Sequence, residues 1–377
     1  MKIFLSFLQS NQQHPIAAYS FWEYYIKNGI EEAGYKWIEC QDVDWAKGLV
    51  SQSEEDFDNW KSASWEKTLS YVKENRPDLF LSYLYPEQVD KQAIQEIKKL
   101  GILCVNFFCD NVRLFKKAPK AFDVFDLNWV PEQKAIPLYQ QAAIPCINLP
   151  MPMWIEPKYR TPTSVELDVL SFIGSKDIQR QLFFEKLLEL NPIINLDIYG
   201  SGWAANAEEL SFPRQSAFKK LTNQFHFLSK HGIKPYLNKL KFSSLNPPIS
   251  SSLKSKIKGK PNFENYIKIT RQSKITIGIN RYPSFNYPLH QPNTYSRLRD
   301  IEAPMLGACY LTEWTYGMDE LYDLDTEILS YITIEEFQEK SQRLVKDKQL
   351  RVSLRSNGQK RALADHSIPA SLRKIIK

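Results

Sequence analysis

Short apolar runs alternate with amphipathic stretches of about 10 to 15 residues twice along this chain, and that alternation restricts the fold more than any other feature. The first series of runs is KIFLSFL, YKWIEC, DLFLSYLY, GILCVNFF, DLNWV and CINLP; FWEYYIKNGIEEAGY, Trp60 to Asn75, a stretch through Lys99 and EQKAIPLYQQA read as helices between them. The second series is VLSFIGS, IINLDIYGSGW, KITIGIN and ACYLTE, interleaved with DIQRQLFFEKLLEL, FENYIKITRQS, residues 295 to 307 and a helical stretch from Glu335. Parallel strands joined by crossover helices fit such runs, because the helices cover both faces of the sheet. The expected fold class is therefore α/β, with two Rossmann-like domains facing each other across a cleft. They occupy 1–155 and 164–350, followed by a helical tail over 351–377. Pro150 to Thr163, PMPMWIEPKYRTPT, is proline-rich and without periodicity, and reads as the linker.

A length of 377 residues suits two domains, and 43% apolar with 13% aromatic residues supplies two cores and argues against disorder. No apolar run approaches a membrane span, and the start, IFLSFL, is too short for a signal-peptide core. The expectation is a soluble, cytoplasmic protein. Cys40, Cys104, Cys109, Cys146 and Cys309 are odd in number and lack CxxC spacing, so they read as reduced, buried thiols. The net charge of +6 is unevenly spread: Leu210 to Phe263 holds no Asp or Glu but many lysines. This basic insertion, 204–262, is either a solvated loop or a surface for an anionic partner such as the inner face of a membrane. Its stretch Ser243 to Asn262 reads as a loop of low complexity.

Residues 295–307 carry the most suggestive chemistry. On a helix starting near Tyr295, Leu298, Ile301 and Met305 share one face, while Tyr295, Arg299 and Glu302 share another. With Asn293 or Thr294 as the cap, the amides of Tyr295, Ser296 and Arg297 would be open to an anion such as a diphosphate, and Glu302 to the hydroxyls of a ribose. The alternative is that Arg299 and Glu302 form an ordinary surface pair. Strand-end residues add to the first reading: Gly174 with Lys176 and Arg180 beyond it, Gly200 and Gly202 after LDIY, and Arg281 after KITIGIN. Any one of these glycines could equally serve a tight turn. YGSGW alone is no dinucleotide fingerprint.

The succession FIGS…R, IYGSGW, SKITIGIN, RxxE in RDIEAPMLGACYLTE, ILSYITIEEF and GQKRALADHS resembles the spore-maturation CgeB-like glycosyltransferases, which have the two-Rossmann-domain GT-B architecture. The likeness runs over Asp168 to His366, with VNFFCDN and AFDVFDLNWV similar to the family's aspartate-bearing strand end. It implies transfer of a sugar from a nucleotide-sugar held by the second domain to a glycan, lipid-linked or protein acceptor held by the first. It further implies Gly174 near the phosphates, Arg180 near the donor, Tyr199 and Gly200 near the base, Arg299 against the diphosphate, and Glu302 on the ribose. Relatives with a Glu-x7-Glu pattern would carry Glu at position 294, where this chain has Thr294, so retention or inversion stays open.

Glycosyl transfer needs a stabilised leaving diphosphate and a positioned acceptor hydroxyl. Helix amides with Arg299, aided by Arg180 or Arg281, can meet the first need, so no metal or other cofactor is expected; DVD at Asp42 to Asp44 and DLD at Asp323 to Asp325 read as loop carboxylates. Inversion would require a general base, with Asp110 the first candidate and His14 the second. Two other functions compete: a nucleotide-sugar epimerase, and a non-catalytic protein acting through the basic insertion. Nucleic acid is a disfavoured partner, because few aromatics interleave with the lysines there.

Overall fold

A computed structural model describes residues 1–10, 18–203, 247–281 and 293–376, together with isolated positions between 224 and 240; side chains between 18 and 21 lie outside it. His14 and most of the basic insertion therefore fall outside the described residues. The chain divides into two compact units, Met1–Glu156 with Ala362–Lys377, and Pro157–Arg361.

In the first unit six parallel strands form one sheet: β1 (Lys2–Ser6), β2 (Lys36–Glu39), β3 (Leu79–Ser82), β4 (Leu103–Phe107), β5 (Leu127–Val130) and β6 (Cys146–Asn148). Their order is β2-β1-β3-β4-β5-β6. These are the six runs read from the sequence. The central strand β3, LFLS, is buried along its whole length, which is why it shows no polar alternation. Its residues pair with β1 and β4 at Phe4↔Phe80 and Phe80↔Cys104. Burial on both faces contributes about 1.5–3 kcal/mol for each large apolar side chain, and this selects the parallel register.

The second unit repeats the plan with β7 (Leu167–Ile173), β8 (Leu196–Tyr199), β9 (Ile257–Gly259), β10 (Ser273–Gly278), β11 (Tyr310–Glu313) and β12 (Leu329–Tyr331), in the order β12-β11-β10-β7-β8-β9. Phe172, Phe184, Ile275, Leu311 and Leu344 belong to its core. Strand β9 corrects the expected loop over Ser243 to Asn262. Ile198 N donates to Lys256 O (2.9 Å) and Gly200 N to Gly259 O (3.0 Å), and fully buried Leu253 anchors the turn before it. A three-residue edge strand is recruited by main-chain bonding rather than by an apolar pattern, so composition hides it. The insertion accordingly ends before β9, not at 262.

Two further boundaries differ from the sequence reading. The linker is no bare tether: Gln359 Nε2 and Arg271 donate to Tyr159 O, and Glu166 accepts from Arg351 at 2.6 and 2.9 Å. The tail expected from residue 351 starts inside a continuous helix, Lys348–Asp365, whose buried Arg351 and Arg355 bond carbonyls of the second unit. Only from Ala362 onward does the chain belong to the first unit. No helix among the described residues is long and apolar enough to cross a membrane. All five cysteines are free, and burial raises the Cys104 thiol to about 12.

Candidate functional site

In the second sheet the chain runs outward from β7 through β8 to β9, then returns to β7's other side and runs outward through β10 and β11 to β12. The order reverses between β7 and β10, and open α/β sheets bind ligands at the carboxyl ends of strands beside such a reversal. Gly174 follows β7 there. An added Cβ would lie 2.7 Å from the Phe172 ring, and one on Gly200, at φ +134°, would lie 2.2 Å from Gly174 O. These two glycines thus let the loops after β7 and β8 pack backbone to backbone; Trp203 Nε1 locks them by donating to Gly174 O at 2.7 Å.

Four guanidinium groups gather at this point. Arg180, only 8% exposed, donates to Ser175 O (2.7 Å) and lies over the Phe172 ring, 3.5 Å from Asp177. Arg281 bonds Glu313 at 2.8 Å. Arg297 donates to Arg281 O at 2.7 Å and stacks on Tyr295. Arg299 reaches Ile173 O at 3.3 Å, stacks on Tyr266 and stands 3.8 Å from Glu302. Arg281 is paired at 2.8 Å, and Arg297 makes no ion pair among the described residues. Arg180 Nε and Arg297 Nε are buried without a hydrogen-bond partner. Burial, above all, lowers the Arg180 pKa from its usual value; Asp177 opposes this, while Arg297 and Arg299 add to it. A cluster of this kind is short of negative charge and of acceptors, and a diphosphate supplies both.

The helix behind the cluster runs over Leu298–Met305, later than the expected 295–307, and Arg297 rather than Asn293 or Thr294 is its cap. Tyr295 N donates to Asn280 O (3.0 Å) and Arg297 N to Asp300 Oδ2 (2.9 Å), so these amides are not open to a ligand. Asp300, fully buried, also accepts from Ser296 Oγ, Asn280, Tyr310 and Thr312. The Asp300 carboxylate, three residues past the cap, reaches back to the Arg297 amide and so fixes the helix start there. The amides of Tyr295 and Arg297 are thus taken, whereas the guanidiniums of Arg180 and Arg297 each keep a nitrogen without a partner.

Glu302 is 2% exposed and accepts a hydrogen bond from the Tyr266 hydroxyl, so it is no surface pair with Arg299. Tyr199 meets the site through its main chain, its carbonyl accepting from Gly174 N at 2.9 Å. Its hydroxyl donates to Asp197 (3.2 Å), and it lines a separate pocket with Lys258, Lys260 and Lys268. The structure thus brings together Gly174, Arg180, Gly200, Arg281, Tyr295, Ser296, Arg299 and Glu302, with Tyr199 contributing its main chain while its side chain lines the other pocket. Arg297, Glu313, Asp300 and Tyr266 were missed by sequence reasoning. Arg297 had a readable signal, two residues before Arg299 in YSRLRD; the others declare themselves only through burial.

In the first unit Asp110 follows β4 and occupies the cap position of the short helix Asn111–Leu114, but its side chain makes no capping bond. Glu132, beyond β5, does that instead: its Oε2 accepts from Asn111 N at 2.6 Å and Val112 N at 3.4 Å. Asp110 is left facing Arg113 at 3.7 Å. Glu132 is 2% exposed, and desolvation raises its pKa to about 8 against the lowering effect of the Asn111 hydrogen bonds. Tyr83 and Tyr85, past β3, complete the group, the Tyr83 hydroxyl lying 3.5 Å from Cys109 Sγ.

A family profile described as "Glycosyl transferase-like" matches residues 179–377, more than half of the chain and most of the unit that holds the arginine cluster. The chain belongs to the glycosyl transferase-like family. Solved structures agree on the fold of this glycosyl transferase-like protein. It is similar to a sucrose-phosphate synthase from Thermosynechococcus elongatus (11% identity, TM-score 0.58, covering 100% of this chain and 98% of that one). It is similar also to a glycosyltransferase from Rickettsia africae (11% identity, TM-score 0.58, 100% and 96% covered). A third is Anabaena HepE, solved in complex with UDP-glucose (12% identity, TM-score 0.55, 100% and 98% covered). At such identities the likeness establishes architecture, that of the two-domain GT-B glycosyltransferases. A sequence comparison with curated proteins gives no significant match.

Proposed function

We propose that this glycosyl transferase-like protein moves a hexosyl group from a nucleoside diphosphate sugar, held by the second unit, to an acceptor hydroxyl held by the first. The arginine cluster at the β7/β10 reversal carries this reading. Arg180 Nε and Arg297 Nε are buried without a hydrogen-bond partner, and Arg297 makes no ion pair among the described residues, which is the complement of a diphosphate. Fixed cations help the reaction most where negative charge grows, on the departing diphosphate, so the cluster stabilises the transition state more than the bound donor. On this reading no metal ion is required for that step. The likeness to CgeB-type transferases, in RDIEAP above all, supports the same assignment, with Glu302 toward the ribose.

If the anomeric centre is inverted, Asp110 takes the proton of the acceptor hydroxyl as the new bond forms. Its freedom from capping favours it, since a carboxylate already bonded to two amides would be a poor base. The test is thermal shift of the purified chain against the common nucleoside diphosphates and their sugar derivatives. Stabilisation by one base series is expected. A flat response to every nucleoside diphosphate would overturn the reading. Product analysis with no acceptor present separates transfer from epimerisation, because an epimerase would convert the donor and a transferase would only hydrolyse it slowly.

A further inference from the structure

The first unit contains a pocket of about 540 Å³ beside the carboxyl end of β3, formed where the segment after β2 meets the start of the helix Glu54–Asn75. Three observations fix its chemistry. The residues lining it include no lysine or arginine, but they do include Glu54, Asp58 and Glu87, which enter no ion pair among the described residues. Two rings, Phe57 and Tyr85, also line it. Gln52 Oε1, buried in the same wall, has no hydrogen-bond partner, while the amide nitrogen of that side chain is held by Lys47 O at 3.0 Å. Acceptor oxygens and ring surfaces without cations are what a polyhydroxylated, uncharged ligand requires, since hydroxyls donate to the former and C–H faces pack on the latter. A phosphate or carboxylate would meet repulsion there.

The pocket adjoins the chemistry assigned to this unit. Tyr85 forms its inner side, packs edge-on against Phe108 at 5.1 Å, and feels the charges of both Asp110 and Arg113. Gly48 keeps the pocket narrow: a Cβ there would fall 2.3 Å from both Gln88 Nε2 and the Trp60 ring, so main chain alone fits.

We infer that this pocket is the acceptor subsite and that the acceptor is a neutral carbohydrate, with Phe57 and Tyr85 under its sugar rings and Gln52, Glu54 and Asp58 accepting from its hydroxyls. The inference rests on the glycosyltransferase reading and narrows it, because it excludes an anionic headgroup as the group bound at this place.

The experiment is saturation-transfer NMR on the full chain with three neutral trisaccharides (maltotriose, chitotriose and mannotriose) and with glucose 6-phosphate as the anionic probe. It is repeated on Phe57→Ala and Asp58→Lys, two substitutions at the rim rather than in the core. Transfer to at least one trisaccharide is expected, weakened about tenfold in Phe57→Ala and lost in Asp58→Lys, with none to glucose 6-phosphate. Nucleoside diphosphate stabilisation should remain unchanged in both variants, which also reports that they are folded. Absence of transfer to all three trisaccharides, transfer that survives both substitutions, or a signal from glucose 6-phosphate alone would each overturn the inference. Absence of diphosphate stabilisation in the unaltered chain, with trisaccharide transfer retained, would overturn the donor reading and with it the acceptor role, while the pocket's preference for neutral saccharides would hold.

Discussion

The two units build the same kind of sheet yet place opposite chemistry at its carboxyl edge. The second unit gathers Arg180, Arg281, Arg297 and Arg299 around loops closed by Gly174 and Gly200. The first gathers Asp110, Glu132 and tyrosines, with burial raising both the Glu132 carboxyl and the Tyr85 hydroxyl. One edge suits a multiply charged anion; the other suits the donation and removal of single protons. A shared architecture therefore says little about division of labour, which is set by the side chains at the carboxyl ends of the strands.

The largest effect that can test this contrast is loss of a cation from the second unit. Arg299→Ala should abolish stabilisation by the nucleoside diphosphate and lower kcat/KM about 100-fold or more, with Arg299→Lys recovering part of it. Transfer kinetics that ignore Arg299 would erase the distinction between the edges. Next, Asp110→Asn should reduce kcat about 100-fold while leaving diphosphate binding intact. If binding fell and kcat did not, the proton chemistry would lie elsewhere.

A smaller change sharpens the structural side of the comparison. Asp300→Ala deprives five donors of their acceptor and should cost about 3–5 kcal/mol in chemical denaturation, whereas Asp300→Asn should recover some of this and raise the KM for donor by misplacing Arg297. The subtlest test concerns Glu132. Its pKa is raised on folding, so between its ordinary value near 4.5 and about 8 the folded state holds a proton that the unfolded state has released. Stability contributed by this group is full below pH 4.5, declines as pH rises through that window and is level above it. Glu132→Gln should remove that slope from a denaturation series run from pH 5 to 8 and leave the cap, since the Gln oxygen can still accept from Asn111 N. An unchanged slope would show that Glu132 is ionised in the folded protein.

The sequence alone determined the first sheet and four of the six strands of the second, since a strand buried on two faces must be an unbroken apolar run and a crossover helix must be amphipathic. It also pointed to Arg180, Arg281, Arg299 and Glu302, because strand ends and helix starts are where ligands meet an α/β sheet. Strands β9 and β12 escaped it, for an edge strand of three residues is too short to leave a clear apolar signature. The start of the helix at Leu298 escaped it too, as did the withdrawal of its amides, because both depend on where the Asp300 carboxylate is buried among Asn280, Tyr310 and Thr312. Glu132 shares the cap of Asn111–Leu114 across about twenty residues of chain, and Tyr266 reaches Glu302 across a longer gap. Spacing along one element was legible from the residues, but partnership between elements was decided by the packed sheet, where removal of water forces each buried polar group to find whichever neighbour the fold brings near.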